Sequence, residues 1–261
     1  MVIDRLRPLA PNAFKRALAA RERQLGFWLS LNSLAATEVA AGIGFDWVLL
    51  DMEHSPYDLE SVERHLLAAR HGGTAEFVVR IPTNEPVLVK RLLDAGVRSF
   101  MFPFVQTLEE ARLAVAATRF PPDGIRGFSG SSRSSRFGMQ RGYHAAAHED
   151  ICIILQVETP QAVAAIADYC TLDGVDGILV GPNDLAANMG FLGGAQRPEV
   201  LAKIDEARAL TTAGGKAAGM LDFNTANANK LLANGFHFLA VGGDIAAMMA
   251  GARQVLAAFE T

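Results

Sequence analysis

Short apolar segments alternate with longer amphipathic segments along the chain, and this alternation constrains the fold more than any other feature. Parallel strands need crossover connections, usually helices, so the pattern predicts a parallel sheet covered by helices. The predicted strands are Gly26–Leu31, Asp46–Asp51, Phe77–Ile81, Ser99–Phe102, Ile151–Val157, Gly177–Val180, Ala217–Met220 and Phe238–Val241. The predicted helices include Leu59–Arg70, Pro86–Asp94, Thr107–Thr118, Thr159–Tyr169, Pro198–Ala213, Thr225–Asn234 and Asp244–Phe259.

Eight such strands in 261 residues indicate an α/β protein with a closed (β/α)8 TIM barrel, as one domain spanning residues 1–261. An open, doubly wound sheet is the rival architecture. That fold would place a glycine-rich turn after the first strand. The segment LSLNSLAATEVA, at the end of the first predicted strand, has no such turn.

Composition narrows the classes of function. The chain is 50% hydrophobic and carries a net charge of -4, so we expect no nucleic-acid partner. No apolar run reaches the roughly 18 residues of a membrane span, so we expect no membrane contact. Residues Met1 to Lys15 form an amphipathic pattern rather than a secretion signal. Two cysteines, Cys152 and Cys170, are too few for a disulfide framework, and we predict a cytoplasmic protein.

Polar side chains gather where the predicted strands end. In a barrel of this type the chemistry lies at the carboxyl ends of the strands. The connection over residues 120–150 is also polar and basic, and it could meet an acidic substrate, a neighbouring subunit or only solvent. The residues at the strand ends are Asp51, Glu53, His54, Arg80, Gln156, Glu158, Gly181, Asn183, Asp184, Leu221, Asp222 and Asp244.

Glu158 and Asp184 follow adjacent predicted strands, with no lysine or arginine beside them. A desolvated carboxylate needs a partner, and two hard oxygen ligands with several open positions suit Mg²⁺ or a similar ion. The alternative is that both residues cap helix N-termini, where acidic side chains are common.

His54 and Arg80 are the other candidates. Asp51 and His54 form a plausible acid/base pair, since a carboxylate can fix the imidazole tautomer, although a structural histidine fits the same spacing. Arg80 lies in an apolar strand and needs an anion, either a substrate or a structural partner such as Asp51 or Glu53.

A metal, an arginine and a base together favour formation of an enolate beside a carbonyl group. The cation would polarise a keto oxygen, the arginine would stabilise the oxyanion, and the histidine would move a proton. A Schiff-base mechanism would instead need a lysine in the barrel mouth. The lysines lie on predicted helices or at the start of a strand: Lys15, Lys90, Lys203, Lys216 and Lys230.

Several ordered motifs are similar to those of one known family. They are FDWVLLDMEHSP, VRIP, LVKRLLDAGVRSFMFPFVQTLEEARLAVAATRFPPDGIRG, QVET and VGPNDLAANMG. The chain from about Gly26 to Phe259 resembles the metal-dependent (class II) pyruvate aldolases, which include 4-hydroxy-2-oxoheptanedioate, 2-dehydro-3-deoxyglucarate and 2-keto-3-deoxy-rhamnonate aldolases.

The resemblance implies a role for each matching residue. Glu158 and Asp184 would bind a divalent ion (Mg²⁺, Mn²⁺ or Co²⁺), and Asp184 would also contact substrate. His54 would be the catalytic acid/base, with Asp51 as its companion and Asp94 tuning it from another subunit. The remaining roles are enolate stabilisation by Arg80 and a pyruvate site lined by Gln156, Gly181, Pro182, Asn183 and Leu221.

The resemblance further implies a barrel with an N-terminal helix, assembled as a homo-trimer or homo-hexamer by exchange of the C-terminal helix. Two residues depart from the family pattern: Met52 replaces a common glycine, and Asn183 replaces a common alanine or serine. The expected reaction is reversible cleavage of a 4-hydroxy-2-oxo acid to pyruvate or hydroxypyruvate and an aldehyde. An acyl-CoA lyase of the malyl-CoA or citramalyl-CoA type and a non-catalytic barrel module are the rival functions.

Overall fold

The computed structural model describes residues 10–259 and shows a closed barrel of eight parallel strands, each paired with its neighbours in chain order. The predicted single-domain (β/α)8 fold is confirmed. The strands are β1 Gln24–Leu29, β2 Trp47–Asp51, β3 Glu76–Arg80, β4 Ser99–Phe102, β5 Cys152–Val157, β6 Gly177–Val180, β7 Ala217–Leu221 and β8 Phe238–Gly243. The helices are α1 Ala13–Ala20, α2 Leu34–Gly42, α3 Leu59–Gly72, α4 Pro86–Ala95, α5 Leu108–Thr118, α6 Tyr143–Ala146, α7 Pro160–Ala164, α8 Ile166–Cys170, α9 Pro182–Asn188, α10 Pro198–Ala213, α11 Thr225–Ala233 and α12 Asp244–Ala257.

The outer helices begin and end at local sequence signals. Asp58 and Ser61 form a reciprocal capping box at the start of α3, and Thr107 and Glu110 form another at the start of α5. Gly96 caps the C-terminus of helix α4, and its φ of 101° lies in the left-handed region that glycine adopts without strain. These caps fix where each helix starts relative to the strand before it.

The helix predicted over Thr159–Tyr169 is divided in the structure. The backbone changes at Ala165 (φ -89°, ψ -2°), which separates α7 from α8. The Ala165 N–H contacts the carbonyls of both Gln161 and Ala162, so the helix tightens at this point instead of continuing.

Large aromatic side chains fill the inside of the barrel. Trp47 and Phe238 lie in the interior, with ring centroids 6.2 Å apart. A side chain at Gly26 would strike the Trp47 ring, and one at Gly219 would strike the Phe238 ring. Each glycine is the register partner of the aromatic residue on the next strand, Gly26 of Trp47 and Gly219 of Phe238, so the two glycines create the space that the two rings occupy.

The N-terminal helix closes the lower end of this interior. Phe14 of α1 is buried, with its ring 5.5 Å from Trp47 and 6.0 Å from Phe238. The predicted N-terminal helix is thus present from Ala13 onward, while the first nine residues of the predicted Met1–Lys15 pattern and of the single domain lie outside the described part of the chain. Over residues 10–259, no helix is long and apolar enough to cross a membrane.

A buried hydrogen-bond network joins the loop after β1 to helix α3. His65 is 1% exposed, with Nδ1 2.6 Å from Thr37 Oγ1 and Nε2 3.0 Å from Asn32 Oδ1. The backbone N–H of Asn32 donates to the hydroxyl of Tyr57 at 2.9 Å. Burial lowers the pKa of His65, since its charged form is poorly solvated. The network holds the loop after β2 between two fixed elements.

We predict that this network makes the protein less stable in mild acid. The unfolded chain takes up a proton on His65 below pH 6.5, whereas the folded chain resists it, so stability falls as pH falls below 6.5. Urea unfolding at pH 5.5 and 7.5 measures this loss, and His65→Gln should reduce it by up to about 1 kcal/mol. His71→Gln, at an exposed position, is the matched control. An unchanged pH dependence in His65→Gln would contradict the prediction.

Candidate active site

A buried ion pair joins the last residues of β2 and β3. Asp51 and Arg80 are register partners, with Arg80 Nε 2.9 Å from Asp51 Oδ1 and Nη2 2.6 Å from Oδ2. Trp28 Nε1 donates to Asp51 Oδ2 at 3.1 Å, and its ring lies 4.9 Å from the guanidinium carbon. Burial alone would raise the pKa of Asp51, but the bonds and charge of Arg80, with the Trp28 bond, hold it below its ordinary value. Of the two kinds of anionic partner expected for Arg80, a substrate or a protein carboxylate, the structure shows the protein carboxylate.

Asp51 also shapes the turn that follows β2. Its Oδ1 accepts hydrogen bonds from the backbone N–H groups of Glu53 at 3.0 Å and His54 at 3.3 Å. The sequence predicts that the Asp51 carboxylate pairs with the imidazole of His54. In the structure Asp51 instead accepts a bond from the backbone N–H of His54. The imidazole itself is 65% exposed at the barrel mouth, 3.9 Å from Glu53 Oε2. Asp51 thus presents His54 to solvent through a backbone turn.

Glu53 is a site residue to which the sequence analysis assigns no role beyond a possible partner for Arg80. Its Oε2 lies 2.7 Å from Arg80 Nη1, so both acids of the DMEH segment flank one guanidinium. Burial raises the pKa of Glu53, Asp51 and Asp184 raise it further, and Arg80 and His54 oppose the rise. The signal for its role is its position between Asp51 and His54 at the end of a strand.

Glu158 is held from both sides of its carboxylate. Gln156 Nε2 donates to Oε1 at 2.8 Å, and the backbone N–H of Phe104 donates to Oε2 at 3.0 Å. Phe104 has a φ of 51°, an uncommon conformation for a non-glycine residue, and this orients its N–H toward Glu158. Burial, followed by the charges of Asp184 and Glu53, raises the pKa of Glu158 to about 7.

The helix-cap alternative fails for Glu158. Thr159, not Glu158, caps α7, and its side chain accepts the bond from the Ala162 N–H. Asp184 lies in the first turn of α9, whose N-cap is Gly181. Glu158 is 3% exposed, and because Thr159 already caps α7, the carboxylate of Glu158 does not serve as the helix cap.

The other residues predicted to line the substrate site follow β6 or end β7, at the same end of the barrel as Glu158. Gly181 packs against it so closely that a Cβ on Gly181 would overlap Oε1 and lie 2.8 Å from Cγ. Pro182 is buried in the first turn of α9, and Asn183 is exposed beside it. Leu221 ends β7 and packs, half-buried, against the inner core.

Asp94 occupies a different environment. Its Oδ1 lies 3.2 Å from Nη2 of the fully buried Arg126, in the connection between α5 and β5. Within the chain, therefore, Asp94 anchors this connection on α4. Its predicted contact with His54 of another subunit stays a prediction.

In the described part of the chain, the site provides too few neighbouring carboxylates to surround a cation with protein ligands alone. Over the described residues 10–259, no group of three histidine, cysteine or acidic side chains is arranged to hold a metal. Two acids could still bind a hard cation with open positions for water or substrate, since such ions usually keep several waters.

Comparison with known proteins agrees with this geometry. A family model described as HpcH/HpaI aldolase/citrate lyase matches residues 24–250. The 5-keto-4-deoxy-D-glucarate aldolase of Escherichia coli is 44% identical over 250 residues, covering 96% of this chain and 97% of that protein. The protein of the same name from Salmonella arizonae is 45% identical over the same shares of both chains.

Solved structures show the same likeness. The structure of an HpcH/HpaI aldolase/citrate lyase family protein from Burkholderia cenocepacia has a TM-score of 0.93 at 38% identity, covering 96% of this chain and 100% of that one. An HpcH/HpaI aldolase from Desulfitobacterium hafniense has a TM-score of 0.86 at 27% identity, with coverage of 97% and 98%.

The fold and these relatives together identify an aldolase, a carbon–carbon lyase. The acids, the arginine and the histidine at the carboxyl end of the parallel barrel agree with this class. The chain belongs to the HpcH/HpaI aldolase/citrate lyase family, whose members in general depend on a divalent metal ion. The family and the enzyme class expected from the motifs are confirmed.

We predict that Gly181→Ala removes most activity while the fold persists. The added methyl group would displace the Glu158 carboxylate, and a loss of 1.4 kcal/mol in transition-state stabilisation already lowers the rate about tenfold. Steady-state kinetics should show at least that decrease, with a thermal midpoint within a few degrees of wild type. Gly130→Ala, in an exposed loop where the nearest atom is 3.8 Å from the new methyl group, is the control. Wild-type kinetics in Gly181→Ala would show that Glu158 does not need this placement.

Proposed function

We propose that the protein catalyses reversible, divalent-metal-dependent aldol cleavage of a 4-hydroxy-2-oxo acid to pyruvate, or hydroxypyruvate, and an aldehyde. The observation that carries the proposal is the buried Glu158 carboxylate, held at the carboxyl end of the barrel within the electrostatic influence of Asp184, Glu53 and Arg80. Its relatives are named 5-keto-4-deoxy-D-glucarate aldolase, which supports this sugar diacid as the substrate. Cleavage of the bond between the methylene carbon beside its keto group and the next, hydroxyl-bearing carbon would give pyruvate and a hydroxy acid that carries an aldehyde group.

The donor set fits a divalent cation. Burial raises the pKa of Glu158, the negative charges of Asp184 and Glu53 raise it further, and a cation would offset that negative charge. Glu158 and Asp184 would hold Mg²⁺, Mn²⁺ or Co²⁺, for which carboxylate oxygens are suitable ligands. When bound, the ion supplies Lewis acidity to the keto oxygen of the substrate.

The chain orients the 2-oxo acid around these ligands. The first N–H groups of a helix have no partner within it, and Pro182, at the first position of α9, has no N–H. The backbone N–H groups of Asn183 and Asp184 therefore offer donors to the substrate carboxylate. Gln156 and Gly181 form the wall behind Glu158, and Leu221 supplies an apolar surface. These residues would hold the C3–C4 bond of the substrate in one orientation.

Arg80 and His54 perform the charge and proton steps. His54, exposed at the mouth, takes the C4 hydroxyl proton, directly or through water. The C3–C4 bond breaks, its electron pair moves to the pyruvate half as an enolate, and C4 becomes the aldehyde carbonyl. Arg80 directs two of its five N–H groups to Asp51 and one, on Nη1, to Glu53, so one N–H on Nη1 and one on Nη2 remain to stabilise the enolate oxygen. Protonation at C3 then gives pyruvate.

A coupled pyruvate-release assay tests the reaction. With 5-keto-4-deoxy-D-glucarate as substrate, EDTA should abolish pyruvate formation, and added Mg²⁺, Mn²⁺ or Co²⁺ should restore it. Arg80→Gln should lower kcat at least about a hundredfold, because the loss of oxyanion stabilisation typically costs that much. Arg112→Gln, on the exposed face of α5, is the control and should retain activity. Full activity in EDTA, or activity only on an acyl-CoA thioester, would contradict the proposal.

We also propose a homo-oligomer, a trimer or hexamer, in which α12 packs on a neighbouring copy. Of the residues of α12, only Asp244 is buried, and exposed apolar patches often mark interfaces. The large apolar side chains exposed on or just after this helix are Ile245, Met248, Met249, Val255, Leu256 and Phe259. The cytoplasmic location stays a prediction.

Light scattering tests this assembly. Wild type should scatter as a multiple of the 27.9 kDa chain, and the double variant Met248→Lys, Leu256→Lys should shift toward the monomer, because two charges would be buried at the interface. Arg253→Ala, exposed on the same helix, is the control. A wild-type monomer at all concentrations would exclude the exchange of α12.

A further inference from the structure

One side chain connects the two segments that carry Glu158 and Asp184. Asn188, the last residue of α9, places Nδ2 2.9 Å from the backbone carbonyl oxygen of Asp184 and 3.1 Å from that of Glu158. An amide NH2 group carries two hydrogens, so both bonds can form at once. Asn188 therefore bridges the loop after β5 and the helix after β6.

The two carboxylates are otherwise fixed by different means. The Glu158 side chain is held by Gln156 and the Phe104 N–H, inside the barrel mouth. Asp184 lies on the exposed side of α9, a helix of 7 residues whose N-cap Gly181 provides no side-chain bond. Short helices are marginal by themselves, so the position of Asp184 depends on how α9 is attached to its surroundings.

We propose that Asn188 is a positioning residue that fixes the Asp184 segment relative to Glu158 and thereby sets the affinity for the divalent cation. This inference rests on the proposed metal-dependent function. Asn188 acts through two backbone carbonyls and touches neither substrate nor ion. Residues that orient metal ligands in this way typically change metal affinity about 10–100-fold when replaced.

Three variants separate this role from simple completion of the helix. Asn188→Ala removes both bonds. Asn188→Ser keeps a hydroxyl that can bond to the carbonyl four residues earlier, that of Asp184, but is too short to span to Glu158. Asn188→Asp has the shape of asparagine without the N–H donors. The control is Asn229→Asp, the same substitution on the exposed face of α11.

The measurement is the dissociation constant of Mn²⁺ for the metal-free protein, from the electron paramagnetic resonance signal of free Mn²⁺. The three Asn188 variants should each bind Mn²⁺ about tenfold more weakly, with Asn229→Asp unchanged. Thermal midpoints in EDTA should stay near wild type for Asn188→Ser. At saturating Mn²⁺, kcat should recover, since the role is in assembling the site.

Two outcomes would overturn the inference. Asn188→Ser binding Mn²⁺ as tightly as wild type would show that only the bond to Asp184, within the helix, is needed. An Asn188→Ser variant that fails to fold in EDTA would assign the residue to stability alone. Failure of the underlying function looks different, because wild type itself would then bind no Mn²⁺ or would be fully active in EDTA.

Discussion

The site depends on the buried ion pair between Asp51 and Arg80 at the ends of two neighbouring strands. Both side chains are less than a tenth exposed, and removing two charges from water costs several kcal/mol per ion unless other bonds compensate. Here the pair is bidentate, Trp28 donates to the carboxylate, and two backbone N–H groups of the next turn complete it. Loss of one partner would leave an uncompensated charge, which typically costs about 3–5 kcal/mol. The same bonds place Glu53 and His54, so stability and catalytic geometry share one interaction.

Acidic charge accumulates around this pair. Asp51 and Glu53 both form ion pairs with Arg80, and burial, followed by the charges of Asp184 and Glu53, raises the pKa of Glu158. Such repulsion is unfavourable for the folded chain and persists where the surrounding structure enforces it, which is typical of functional sites. The packing of Gly181 and the Phe104 N–H against Glu158 provides that enforcement.

The sequence predicts the strand order and most of the site because both follow from periodic, local signals. Alternation defines the barrel, and acids after apolar strands mark its mouth. What the sequence does not reveal depends on contacts made by backbone groups or across long separations. Phe104 contributes through its backbone N–H and its positive φ, and neither can be predicted from a phenylalanine side chain. Glu53 and Asn188 look like ordinary turn and helix-end residues until folding brings Arg80 and Glu158 to them.

The two ends of the barrel contain similar groups but pair them differently. At the lower end, Lys15 Nζ lies 2.8 Å and 2.9 Å from the two oxygens of Asp176, and Arg98 forms a bidentate pair with Glu76 at 3.0 Å and 2.8 Å. Each of these two acids has its own cation, which is what a purely structural site requires. At the upper end, several acids surround one arginine. The same fold therefore satisfies its charges where they only stabilise the barrel, and leaves an excess of negative charge where a cation and a keto acid would bind.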